Sequence, residues 1–170
     1  MIKIIGFIII VISTSMIGFD MSDKYRRRPK EIRTLITVLE KVKNELSFSN
    51  NIVTDAIKNS LDIRCDSVRN MLQGIVCEVE KNNVSLSDAF NLYIKNNDEL
   101  SLEKNCIDEL EKFFSVLGSN DTENEIKNIE ITVLNLKEYL GLAVNDEKKY
   151  VKLFRTSGVL AGFLIAIILA

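Results

Sequence analysis

Two groups of carboxylates, Asp108, Glu109 and Glu111, then Asp121, Glu123 and Glu125, have the types and spacing to hold a divalent cation or share a proton. Neither carries that chemistry far. The chain has no histidine to complete a metal set or act as a general base, and neither group has the glycine-containing pattern of a calcium loop. The carboxylates read more simply as helix surface and as charge near a helix N-terminus, where the peptide dipole favours anions. Cys65, Cys77 and Cys106 are odd in number and lack C-x-x-C spacing. They read as small apolar residues in a reducing compartment. No Walker phosphate loop, dinucleotide-binding glycine pattern, zinc-protease helix or nucleophile-elbow serine occurs. The expectation is a protein with no enzymatic activity, cofactor or metal.

The cations are grouped differently. Lys24, Arg26, Arg27, Arg28 and Lys30 fall within seven residues, shortly after an apolar run from Met1 to Phe19 interrupted by Lys3 and by hydroxyls at Ser13, Thr14 and Ser15. As a helix, about nineteen such residues reach roughly 28 Å, the thickness of a bilayer's hydrocarbon. A transmembrane helix is expected there, with a cleavable signal sequence as the competing reading; no A-x-A-like site precedes Asp20. Lys148, Lys149, Lys152 and Arg155 stand before a second run, Gly158 to Ala170, that has no charged side chain. At about thirteen residues it is shorter than the roughly twenty needed to span. A core helix therefore competes with a membrane segment accommodated by snorkelling cations or local thinning. Lys and Arg beside spanning segments are retained on the cytoplasmic side, so both clusters read as membrane-interface cations that place the intervening chain in the cytoplasm. The net charge of −2 provides no general field for nucleic acid. Lipid head groups account better for positive charge placed beside apolar segments.

The elements between those segments must be helices. One proline, seven glycines and 46% hydrophobic residues in 170 leave few turn signals and room for one domain of about 125 residues. The expected class is all-α: a transmembrane helix over 1–19, a basic linker over 20–30 containing the helix-interrupting Pro29, a bundle-like six-helix cytoplasmic domain over 31–155, and a short apolar membrane segment over 156–170. Apolar spacings of three and four place the first domain helix over 31–46 and a short second one through Val53, Ala56, Ile57 and Leu61, capped by Asn50 or Asn51. A third over 66–81 includes Gly74, read as a close-packing position. Ser85 caps a fourth in a capping box with Asp88. The fifth contains Leu100 to Leu117, with Asp98 as its cap and Gly118 as its stop. Thr122 and Glu125 form the box of the sixth and longest, whose seam is Ile129, Val133, Leu136, Leu140 and Ala143. The stretches 51–57 and 83–90 share a hydroxyl, Asp, Ala step, suggesting a repeated helix-turn-helix element.

This order of parts resembles the stage III sporulation protein AB family of endospore-forming bacteria, through Lys3 and Gly6, Arg28-Pro29, the helix from Ile32 to Leu46, the loop from Gly118 to Asp121, and the ending Gly158-Val159-Leu160-Ala161-Gly162 with its apolar tail. The stretch Asn83-Val84-Ser85-Leu86-Ser87-Asp88-Ala89-Phe90 is also similar to a step in the platform proteins of type II secretion and type IV pilus systems. Asp88 and Phe90 replace that family's glutamate and leucine, and Asn82 and Asn83 stand near its glycine. Platform proteins usually have two such helical domains; this chain has room for one. The resemblance implies a membrane platform in the channel apparatus linking mother cell and forespore. It further implies location in the mother-cell membrane facing the forespore and work beside a secretion-type ATPase of the same operon and other sporulation channel proteins. Asp121, Glu123 and Glu125 are the candidate contact to that motor. The alternative is an anchored lipid-binding or self-associating signalling module, forming a homo-oligomer through the seam of the sixth helix.

Overall fold

A computed structural model describes residues 2–48, 53–117 and 122–169. Six helices make up the secondary structure among these residues: α1 (Ile2–Phe48), α2 (Val53–Asn59), α3 (Asp66–Asn82), α4 (Leu86–Asn96), α5 (Lys104–Val116) and α6 (Thr122–Leu169). The all-α expectation holds, but α1 is one helix of 47 residues where a spanning helix, a linker and a domain helix were expected. Pro29 lies inside it and is buried. Proline has no N–H to offer the carbonyl of Tyr25, one turn earlier, and its ring crowds the preceding turn. Good helical sequence on both sides carries the helix through that loss. The last helix, α6, is likewise continuous for 48 residues.

The chain forms two compact units, residues 30–141 and residues 1–29 with 142–170. Residues 142–155 thus associate with the N-terminal segment.

The core of the 30–141 unit follows the apolar spacing. Ile32, Leu35, Ile36, Leu39, Val42 and Leu46 of α1 are buried, and so is Val38, which widens the stripe to both flanks. Val68, Met71, Leu72, Ile75 and Val76 of α3 and Ile129, Val133 and Leu136 of α6 are buried in the same unit. Phe90 of α4 stacks on Phe114 of α5 with centroids 4.9 Å apart, and Phe113 meets Phe114 edge-on at 5.2 Å. Helix α3 packs on α2 and α4, and α4 on α5. Ion pairs Lys43 to Glu130 at 3.3 Å and Lys137 to Glu40 at 3.2 Å link α1 with α6 in this unit. Asn135 Nδ2 donates to Glu109 Oε1 at 2.7 Å and ties α6 to α5.

Local signals are used as expected at several helix ends. Ser85 Oγ accepts from the Asp88 N–H at 3.1 Å and donates to the Asp88 carboxylate at 2.7 Å. Asn83 ends α3 at φ 54°, a left-handed conformation that asparagine tolerates. A Cβ at Gly74 would lie 2.9 Å from the Tyr93 ring, so this glycine does permit close packing of α3 on α4. Asn50 and Asn51, expected to cap α2, Gly118, expected to end α5, and Asp121 lie outside the described residues.

Helix α5 differs from expectation. It starts at Lys104 with Glu103 in the cap position, so Asp98 caps nothing and Leu100 is not helical. The cause is a contact across the core. Glu31 is 1% exposed, and its carboxylate accepts from Ser67 Oγ at 2.9 Å and from the Ser101 N–H at 2.7 Å. That bond and the buried Leu102 hold the segment before α5 in extended form. Replacing Glu31 by Ala removes the acceptor from a buried, immobile N–H, and the expected loss of stability is about 1–3 kcal/mol. Denaturant unfolding of the full chain in detergent measures it; a midpoint unchanged from wild type would show that Ser101 finds another acceptor.

Candidate functional site: a basic and aromatic collar on an apolar hairpin

Residues 2–29 and 142–169 form an antiparallel helix pair, because contacts run to lower numbers on α6 as they rise on α1. An added Cβ on Gly162 would press on Thr14 and would lie 2.9 Å from the Val11 Cα. A Cβ on Gly18 would lie 2.7 Å from the Phe154 carbonyl oxygen and 3.1 Å from the Gly158 Cα. Further along, Arg155 Nε donates to Ser22 Oγ at 3.3 Å, Tyr25 meets Tyr150 at 5.0 Å, and Arg28 pairs with Asp146 at 3.7 Å. The seam is built from small residues four apart, Thr14, Gly18 and Ser22 on α1 and Gly158, Gly162 and Ala166 on α6. Gly18, Ser22, Gly162 and Ala166 are buried. Small residues let backbones approach where dispersion replaces the hydrophobic effect as the force between helices.

The outside of this pair is apolar. Ile8, Ile9, Ile12, Met16 and Ile17 on α1 are exposed, as are Leu160, Phe163, Leu164, Ile165, Ile167 and Ile168 on α6. Helix α6 contains an 18-residue window long and apolar enough to cross a membrane by length and composition, and only 11% of that window is buried. A core helix would be mostly buried, so the competing core reading of the C-terminal segment does not hold. Hydroxyls on α1 bond back to their own helix: Ser13 to the Ile9 carbonyl at 2.9 Å, Thr14 to Ile10 at 3.0 Å and Ser15 to Val11 at 2.6 Å. They leave no donor in want of water.

At one end the apolar surface gives way to the cations. Arg26 and Arg27 share Asp23 at 2.5 and 2.9 Å. Arg28 lies over the Tyr25 ring at 5.2 Å, Lys149 over Tyr150 at 5.1 Å and Arg155 over Phe19 at 5.4 Å. Tyr25 also stacks on Phe154 at 5.5 Å. Of the basic residues named from sequence, Arg26, Arg27, Arg28, Lys149 and Arg155 make these contacts; Lys24, Lys148 and Lys152 lie in the same unit, and Lys30 belongs to the other. The unit holding them has nine Lys or Arg against four Asp or Glu, whereas residues 30–141 have thirteen against twenty.

The acidic candidates are not assembled into a site. Glu123 is exposed and pairs with Lys127 at 2.8 Å, Glu125 is 5% exposed, and Asp121 lies outside the described residues. Among the described residues no group of three potential ligands is placed to hold a metal ion. Burial, with Glu99 beside it, pushes the Tyr93 hydroxyl up, and burial with Glu109 nearby does the same to Tyr139. The bond to Glu80 raises Lys58. All three move away from neutrality, so none becomes a proton carrier at pH 7.

Sequence reasoning missed the glycine seam, although its signal was present: Gly158 and Gly162 form a G-x-x-x-G step in an apolar stretch. Tyr25 and Tyr150 were missed as interface aromatics, and Glu31 as a core carboxylate.

Fold and site together define an all-helical protein carrying one long, exposed, apolar helix and a cationic collar. The family model for stage III sporulation protein AB matches residues 3–170, and the chain belongs to that family. It is also similar to the stage III sporulation protein AB of Bacillus subtilis (strain 168), with 26% identity over 170 residues that cover 99% of each chain. No solved structure matches. Membership supports a role in sporulation, in a family not known for catalysis.

Proposed function

We propose that the protein is a non-catalytic platform subunit, anchored in the mother-cell membrane, whose cytoplasmic helical domain docks a secretion-type ATPase of the channel apparatus required for endospore formation. The observation that carries this reading is the glycine-seamed hairpin: its exterior is apolar, the hydroxyls of Ser13, Thr14 and Ser15 bond to their own helix, and cations and aromatics ring one end. Both helices of the hairpin enter the bilayer from that end. Positive charge retained in the cytoplasm then keeps residues 30–141 on the motor's side. The ATPase and the resemblance to platform proteins come from sequence, and family membership supports the setting.

The alternative, self-association through the α6 seam, loses its surface, because Ile129, Val133 and Leu136 are at most 7% exposed within their own unit. A partner must instead use outward faces. The full chain, solubilised from sporulating cells, is expected to co-purify the ATPase, and Cys at exposed Lys112 is expected to react with an impermeant thiol reagent only after lysis. Labelling of intact cells at position 112, or purification free of ATPase under conditions that preserve the other channel proteins, overturns the reading.

A further inference from the structure

The collar's cations are not equally satisfied. Arg26 and Arg27 share Asp23 and Arg28 pairs with Asp146, whereas Lys148, Lys152 and Arg155 have no carboxylate partner among the described residues. These three stand at i, i+4 and i+7 on α6 and so share one face. No Asp or Glu lies three or four residues from any of them. Like charges at those spacings repel, and an external anion relieves the repulsion. Arg155 is already oriented: Nε is held by Ser22 Oγ, and the guanidinium lies over Phe19. Its terminal nitrogens meet no acceptor among the described residues. They form the fork that suits a phosphate.

What lies beside these cations selects the anion. From Gly158 onward α6 has no charged side chain; Phe163, on the Lys152 side of the helix, is 45% exposed, and Phe19, beneath the Arg155 guanidinium, is 49% exposed. A phosphate bound to Arg155 and Lys152 therefore borders a surface fit for acyl chains, which a soluble phosphate could not use. We infer that Lys148, Lys152 and Arg155 form a head-group site for an anionic phospholipid, in the leaflet at the collar. The inference rests on the membrane hairpin proposed above.

The test uses the full chain in detergent, with phosphatidylglycerol, phosphatidylcholine of the same acyl chains, or inorganic phosphate added. Native mass spectrometry reads retained lipid, and thermal unfolding reads stabilisation. Phosphatidylglycerol is expected to be retained in preference to phosphatidylcholine by about tenfold or more, from the energy typical of cations at an anionic surface. Lys152→Gln with Arg155→Gln should bring the two lipids near parity. Lys148→Gln with Lys152→Gln, both exposed side chains, should reduce the preference without touching the contact to Ser22. Equal retention of the two lipids by the wild type overturns the inference, as does a preference surviving both double variants. Stabilisation by inorganic phosphate equal to that by phosphatidylglycerol overturns it in favour of a soluble anion. A chain still resistant to alkaline extraction but without lipid preference loses this site and keeps its anchor; a chain released by alkali loses both.

Discussion

Leu136→Asp is expected to abolish the cooperative unfolding of the 30–141 unit, leaving a chain that melts broadly or aggregates. Leu136 is 0% exposed, and it lies on the same α6 face as Ile129, Thr132 and Val133, all buried. The truncation Leu136→Ala removes apolar contacts and leaves a cavity, at a cost of about 2–5 kcal/mol. A carboxylate there adds the penalty of a charge withdrawn from water. Against a typical total stability of about 5–15 kcal/mol, the aspartate takes most of what the domain has. Circular dichroism during thermal unfolding of the full chain in detergent measures this. A Leu136→Asp protein that melts with the wild-type midpoint and steepness would mean that the seam faces water or a partner, reviving α6-mediated self-association. Because Leu136→Ala should fall between the two, the series also separates lost volume from added charge.

That prediction was accessible from sequence because three-four apolar periodicity reports burial directly, and the burial found on α1, α3 and α6 follows it at most positions, with Val79 and Leu140 half-buried and Val38 buried in addition. Periodicity reports less about features whose cause lies elsewhere in the chain. Glu31 looks like the first polar residue of a helix, and the bonds from Ser67 and Ser101, 36 and 70 residues later, help make its burial tolerable. The same contact moves the start of α5 to Lys104, which no local cap rule foresees. Pro29 shows the opposite error. Proline rules describe an isolated turn, in which one lost hydrogen bond is decisive; here the helix is long on both sides and the proline is buried, so continuity wins. Thr122 and Glu125 form a plausible box in sequence, yet the burial of Glu125 makes it a poor docking carboxylate and leaves Glu123 as the exposed one of the pair. In the hairpin, a hydropathy reading averages over the faces of each helix. It therefore finds the apolar runs and overlooks the small residues between them that decide how closely they approach.

Glycine substitutions in that hairpin should have opposite signs according to position. Gly6 and Gly18 both lie in the N-terminal apolar run of α1, so helix propensity alone predicts that Ala stabilises each by about 1 kcal/mol. At Gly6 nothing among the described residues stands within 4 Å of the added methyl, and that gain is expected in full. At Gly18 the methyl would lie 2.7 Å from the Phe154 carbonyl oxygen and 3.1 Å from the Gly158 Cα. Both are backbone atoms, so no side chain can rotate aside, and the helices must separate or shift. Overpacking of this kind typically costs about 1–3 kcal/mol, enough to cancel or reverse the propensity gain, and Gly18→Leu should lose more. Apolar burial cannot restore the loss inside a bilayer, since lipid tails wet a separated helix as well as its partner does. Separation would also withdraw Ser22 from Arg155 and Tyr25 from Tyr150, which loosens the collar. The expected result is a melting temperature in detergent that rises for Gly6→Ala, fails to rise for Gly18→Ala and falls clearly for Gly18→Leu, with spore yield falling in the last. A Gly18→Leu chain as stable as wild type would show that α1 and α6 do not approach at this glycine, and the hairpin as the anchor would fall with it.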